Sequence, residues 1–305
     1  MPTTPMRSTD FRSVVEPILN DVFDGVYEQR ADEWKQVFTE RKGIKRAYHE
    51  EPVLYGFGAA PEVPDGNAVT YQAGGQLFVQ RYVYRVYGLA FALTKVLVED
   101  GDHISIGKIY SEHLAQSGIE TKETLCANRV NRAFNGAFPG GDGVAWVASN
   151  HPIVGGTFSN LLTTAAVMSQ TSVEQMLIQI RNAVDNNGKR IRLNPLKIVC
   201  SPSNVFQAEV ILKSVLRTGA ANNDINPIKS MGLLSQGQAN LSRLTSTTAW
   251  WIQTNAPRGA QLMMRRRIER SMEGDFETDS MRYKFTERYR EGFTDPRSLW
   301  GTPGL

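Results

Sequence analysis

Apolar residues recur at helical spacing through the first forty positions. Phe11, Val14, Val15, Ile18, Leu19, Val22, Phe23, Val26 and Tyr27 form one stripe, and Trp34, Val37 and Phe38 continue it. The pattern predicts an amphipathic helix over 11–40, with Pro17 marking a start or a kink near Glu16. Two partners fit the stripe, a neighbouring copy or the chain's own core.

The pattern turns extended over 48–86. Val53, Leu54, Tyr55 and Phe57 lead into a turn-forming stretch, Ala59 to Asn67, that holds Pro61, Pro64 and Asp65-Gly66. A second β-rich run follows from Val69 to Val86, so a long hairpin is predicted, with a bulge or bend at Gly74-Gly75. A two-stranded hairpin is marginal alone in water. One this long calls for outside support, and a partner subunit would supply it.

Thr94 is placed to cap a short helix reaching Glu99-Asp100. Helical spacing then returns from Ile104 to Asn135, with Ile106, Tyr110, Leu114, Leu125, Val130 and Phe134 on the apolar side. Gly118 in its middle costs roughly 1 kcal/mol relative to Ala. A continuous helix here would run about 48 Å at 1.5 Å per residue, the length of a structural spine. Asn135-Gly136 and Pro139 to Gly143 end it.

Helices and strands alternate beyond that point. Ser172 with Gln175 reads as a capping-box start for a helix that Asn186-Asn187-Gly188 stops. Leu196–Cys200 is a buried-type strand. Ser201-Pro202 opens a helix to about Leu216. Strands are predicted at Ala249–Thr254, Gln261–Arg266 and Ser280–Tyr289. The fold class is α+β.

Composition supports a folded protein: 305 residues, 41% hydrophobic and 21% charged. The net charge of +3 argues against a protein devoted to gripping nucleic-acid phosphates, although a lining that tolerates nucleic acid remains compatible with it. Cys126 and Cys200 form no disulfide framework and no metal spacing. No signal peptide is visible at the N-terminus. The most apolar run, Tyr82 to Val98, is interrupted by Arg85 and Lys95, so no membrane partner and folding in a cytoplasm are expected.

Candidate chemistry is sparse. His49, His103, His113 and His151 share no ligand spacing, and structural roles are expected for them. A hydrolase built on His151 or His113 is the weak enzyme reading. The glycine runs are loop punctuation without a phosphate-binding pattern. No catalytic residue, cofactor or metal is expected. Arg265-Arg266-Arg267 is the sharpest charge feature. Residues 258–297 nevertheless hold ten Lys/Arg against eight Asp/Glu, which suits ion-paired subunit contacts better than a nucleic-acid footprint. Tyr82, Tyr84 and Tyr87 interleave with Arg81 and Arg85, a spacing that fits β-propensity and packing better than base stacking.

Several segments together resemble the major head subunits of Mu-type tailed bacteriophages. They are Tyr87 to Thr94 with Glu99-Asp100, Asn135 to Phe138, Asn150-His151-Pro152, and Ser159-Asn160-Leu161. Leu196 to Pro202, Ala208 to Ser214, Ala249 to Ile252, and Tyr289 to Arg297 continue the series. The resemblance covers roughly 45–300 in collinear order. It departs at Gly141 to Val147, where that pattern has an acidic, aromatic stretch.

The resemblance implies a major capsid protein with the HK97-type fold. Its parts would be an N-terminal arm (1–47), an extended loop (48–86), a peripheral domain (87–154 and 271–305) with a spine helix about 103–135, and an axial domain (155–270). It implies hexamers and pentamers in an icosahedral shell around double-stranded DNA, with a portal, a separate scaffold protein and decoration proteins as candidate partners. The alternative is a nanocompartment shell of the same fold holding protein cargo. Subunit contacts are expected at Phe11, Phe23 and Trp34 in the arm, Pro61, Asp65 and Gly66 at the loop tip, Arg81 and Arg85 on its return, and Arg265, Arg266 and Arg267.

Overall fold

The computed structural model describes residues 8–29, 32–94, 96–97, 103–217, 224–275 and 280–304, with only the backbone described over 8–14. Helix α1 spans Ser8–Gln29, and Pro17 lies inside it on the exposed side. The predicted helix over 11–40 therefore stops eleven residues early. A 3-10 turn at Glu33–Gln36 follows, then strand β1 at Thr39–Arg41. The break has a packing cause: the two halves of the apolar stripe serve different cores. Val15, Leu19 and Phe23 pack on one side of the molecule, whereas Trp34, Val37 and Phe38 join the central core. Glu123 accepts the Trp34 backbone N–H at 3.0 Å and fixes the second half there.

Helix α2, His103–Asn131, is the spine, about 44 Å long at 1.5 Å per residue. Gly107, Ser111, Ala115 and Gly118 lie along the side that meets α1 and the main sheet. The Ser111 hydroxyl donates to the Leu19 carbonyl at 2.8 Å. A Cβ at Gly118 would lie 3.1 Å from the Phe285 ring, so the glycine's cost in helix propensity is offset by close packing. Of the short helix after Thr94, only 96–97 fall within the described residues, and the Thr94 hydroxyl accepts the Leu97 N–H.

The hairpin strands are β2, Tyr48–Tyr55, and β3, Gly75–Val83, antiparallel with a register shift at Val53/Leu54. Residues 56–74 between them form no regular element, so the returning strand starts at Gly75 and not at Val69. Strand β4, Arg85–Leu93, leaves the hairpin for the main sheet. A small hairpin of β5, His151–Ile153, and β6, Gly156–Phe158, follows the spine. Helix α3 spans Gln170–Arg181. Its N-cap is Ser169, three residues before the predicted one: the Ser169 hydroxyl accepts the Ser172 N–H and the Ser172 hydroxyl accepts the Ser169 N–H.

Strand β7, Pro195–Cys200, leads through a 3-10 turn into helix α4, Val205–Lys213. This helix ends short of Leu216 because the Asn226 side chain donates to the Ile211 and Ser214 carbonyls at 2.7 and 3.1 Å. One-turn helix α5, Pro227–Ser230, and strand β8, Gln238–Asn240, precede β9, Trp250–Thr254. Strands β10, Gln261–Asp275, and β11, Ser280–Gly292, run well beyond the predicted strand ends. Strand β12, Leu299–Thr302, closes the chain.

Two four-stranded sheets organise these elements. The first has order β1-β10-β11-β4 and the second β12-β9-β7-β8. The central core fills the space between them with Trp34, Phe38, Trp146, Trp251, Tyr289 and Phe293. Trp146 and Phe293 stack at 4.5 Å between ring centres. A second core joins α3, α4 and the second sheet, and a third joins α1, α2 and the first sheet.

Candidate subunit-contact surface

The hairpin root holds a buried polar cluster around Glu51. Alternation along β2 turns Glu51 and Val53 inward. The Glu51 carboxylate accepts hydrogen bonds from Thr294, Arg41 and His49. Burial alone would raise its pKa; the bonds from Thr294 and Arg41, with the charge of Arg41, outweigh that and hold it below the usual 4.5. Sequence reasoning takes the adjacent pair Glu50-Glu51 for solvated surface, whereas Glu51 has only 4% of its surface exposed. Its signal was a carboxylate one alternation step from Val53 in a half-buried strand.

The far end of the hairpin has the opposite character. Residues 56–74 are exposed throughout, including Phe57, Val69 and Tyr71, the last with 97% of its surface free. Asn67 N–H closes a turn on the Pro64 carbonyl at 3.1 Å, and Gly66 takes the left-handed conformation that turn needs, at φ +84°. Gly58 N–H and the Gln72 side chain tie the two sides together at 2.7 Å. Pro61, Asp65 and Gly66 all sit on this exposed end. Its apolar side chains Phe57, Val63, Val69 and Tyr71 all remain exposed.

Arg81 is exposed, stacked over the Tyr48 ring at 4.3 Å and 3.7 Å from Glu50. Arg85 is exposed on β4, which lies at the edge of the first sheet beside Val86 and Leu89. Arg266 pairs with Glu269 at 2.9 Å and donates to the Thr286 hydroxyl at 2.8 Å. Arg265 sits at the β10 register shift with a buried, unpartnered Nη1, and Arg267 is exposed. The three arginines thus face different surroundings and form no single patch.

Phe23 and Trp34, expected at subunit contacts, are buried in the chain's own cores, so no partner reaches them in this conformation. The Phe11 side chain lies outside the described residues.

His151 is fully buried. Its Nδ1 lies 2.6 Å from Asp142 and its Nε2 3.0 Å from the Asn160 side-chain oxygen, and its ring stacks on Phe158. Asn160 in turn donates to the Trp146, Pro296 and Leu299 carbonyls. Both ring nitrogens are engaged, and the cluster joins the loop after α2 to the C-terminal strand. His113 is exposed on α2. Among the described residues no group of His, Cys, Asp and Glu is arranged to hold a metal ion, and no helix is long and apolar enough to cross a membrane.

A family model described as phage capsid protein matches residues 81–301, beginning inside β3. Among solved structures, the chain is similar to the capsid of cyanophage P-SCSP1u, with TM-score 0.54 and 12% identity, covering 90% of this chain and 89% of that one. It is similar to the mature capsid of bacteriophage PhiM1, with TM-score 0.54 and 9% identity over 90% and 87%. The virus-like particle from Pyrococcus furiosus gives TM-score 0.52 and 10% identity over 94% and 98%. At such identities the likeness is one of fold. No curated protein matches the sequence.

Proposed function

Since the chain belongs to the phage capsid protein family and has the HK97-type fold, we propose that it is the major head subunit, closing into an icosahedral shell of hexamers and pentamers around double-stranded DNA. The observation that carries this reading is the hairpin. Its root is locked by buried polar contacts, while its end exposes an apolar surface that a second copy would cover.

In this reading residues 48–86 are the extended loop and lie across a neighbouring subunit. Residues 87–154 and 271–305, with α2 as spine, form the peripheral domain, and 155–270 form the axial domain around the capsomer centre. Helix α1 packs on its own chain's α2, so the hairpin, more than the arm, provides the reach between subunits. The family role is structural, and the virion capsid is its place. A portal vertex, a separate scaffold protein and DNA along the inner face complete the proposal.

Electron microscopy of the purified protein tests it: icosahedral particles are expected. Removing Pro61–Asn67 leaves a soluble subunit that makes no closed shells; normal shells from that deletion would overturn the hairpin's role. The likeness to the Pyrococcus furiosus particle keeps a compartment shell with protein cargo as the second reading. Nuclease-protected DNA inside the particles supports the phage head, and protein cargo supports the compartment.

A further inference from the structure

The free edge of β2 is read by side chains from the other half of the molecule. In a two-stranded antiparallel sheet, every second residue of each strand turns its backbone polar groups outward. Pro52, which has no N–H to offer a ladder, occupies such a position, and Leu54 is the next. Their carbonyls are not left to water. Arg258 Nη1 donates to the Pro52 carbonyl at 3.2 Å, and the Asn186 side-chain amide donates to the Leu54 carbonyl at 3.0 Å. The Asn187 side-chain amide donates to the Phe57 carbonyl at 3.2 Å.

All three donors stand on stiff supports. Asn186 and Asn187 lie in a tight turn between Val184 and Arg190, which are bridged. The Asp185 carboxylate accepts the Asn187 and Lys189 N–H groups at 2.8 and 2.9 Å, and Gly188 supplies a left-handed residue at φ +77°. Arg258 is itself left-handed at φ +53°, a conformation that costs a non-glycine residue energy and persists only where the surroundings impose it. Its carbonyl is held by the Thr294 and Asp295 N–H groups at 3.0 and 3.1 Å. The same Thr294 binds Glu51 at the hairpin root.

We infer that Asn186, Asn187 and Arg258 are positioning residues that set the direction in which the hairpin leaves the body. The buried contacts at Glu51 fix where the hairpin starts but leave its shaft free to swing. Three donors spaced along 52–57 remove that freedom. Each bond is solvent-exposed and individually weak, so together they steer the hairpin without welding it. Assembly then meets a hairpin already aimed at its neighbour, which lowers the ordering cost of the contact. This inference rests on the shell reading for its consequence, and on the geometry alone for the clasp.

The test compares full-length wild type with the Asn186→Asp/Asn187→Asp double variant, Arg258→Ala, and the donor-retaining Asn186→Gln/Asn187→Gln. Amide hydrogen exchange across 48–83 is read on the unassembled protein, and particle images on the assembled one. Both donor-removing variants should exchange faster in the hairpin, on the order of tenfold, with an unchanged thermal midpoint. They should yield fewer closed, uniform shells, and the Gln pair should restore both readouts. Unchanged hairpin exchange overturns the clasp. Faster exchange with normal shells overturns the positioning role. A wild type that forms no particles overturns the shell reading instead, while the exchange comparison still decides the clasp. If the Asp pair fails to fold, Arg258→Ala decides by the same two readouts.

Discussion

The hydroxyl of Tyr82, on the returning hairpin strand, lies 2.7 Å from the hydroxyl of Thr294, 212 positions away in sequence. Thr294 also donates to Glu51 on the outgoing strand, so one C-terminal residue holds both strands of the hairpin at its root. Gly292 makes room for this: a Cβ there would lie 2.5 Å from the Tyr82 ring. The root of the hairpin is therefore held jointly by Glu51 and Tyr82 on its two strands and by the segment that follows β11.

Acid should loosen this root. Glu51 is held below its usual 4.5, so its ionised form stabilises the native state fully above about pH 4.5, and that contribution is lost as pH falls through the lower native value. Glu51→Gln should cost about 2 kcal/mol at pH 7, the scale of a hydrogen bond to a charged group. Denaturant unfolding of both proteins at pH 7, 5 and 3 is the measurement. The gap should narrow toward pH 3; a gap independent of pH contradicts the argument.

Gly301 faces a comparable restriction inside the second sheet. It pairs with Trp251, and a Cβ there would lie 2.3 Å from the indole Cδ1, in a ring with 1% of its surface exposed. Neither partner has space to yield. Gly301→Ala should destabilise by about 1–3 kcal/mol, the range for overpacking a core. A lower melting midpoint with a red shift of tryptophan emission is expected, and an unchanged midpoint would show that the strand can move.

The thiols should be silent until the protein unfolds. Cys126 and Cys200 are both buried, and burial pushes their pKa values up, Cys200 to about 11. The thiolate is the reactive form. A thiol reagent at pH 8 should label neither cysteine in the native protein and both in denaturant. Native labelling of either would place it at a surface.

Much of this architecture was legible from periodicity. The spine helix, the hairpin strands and the alternating region each have a local pattern that the tertiary structure keeps. The failures are equally physical. The stripe from Phe11 to Phe38 reads as one helix because periodicity does not distinguish one core from two, and Trp34 belongs to the second. Gly118 reads as a defect until Phe285 is seen against it. Strands β8 and β12, three and four residues long, are too short to show alternation. The turn at Pro61, Asp65 and Gly66 was readable because turn chemistry is local. The roles of Asn186, Asn187 and Arg258 were not, since their meaning lies in carbonyls 130 or more positions away.

The attachment of α1 gives the sharpest energetic test. Tyr27 on α1, Lys122 on α2 and Glu287 on β11 meet in one cluster. The Tyr27 hydroxyl donates to Glu287 and accepts from Lys122, and Lys122 Nζ lies 3.1 Å from Glu287. Burial first, then the negative charge of Glu287, pushes the Tyr27 pKa up, which keeps the phenol protonated in its donor role. Lys122 and Glu287 are both buried, with 8% and 2% of their side chains exposed. Removing one member of such a pair strands the other charge and costs about 3–5 kcal/mol, whereas replacing both with apolar groups is often near neutral. Lys122→Met alone should therefore be severely destabilising, and Lys122→Met with Glu287→Leu should recover most of the loss. Tyr27→Phe should cost only about 1 kcal/mol, since the ion pair survives. A double-mutant cycle from denaturant melts reads the coupling directly. If the double variant is as unstable as the sum of its parts, Lys122 and Glu287 do not act as a unit.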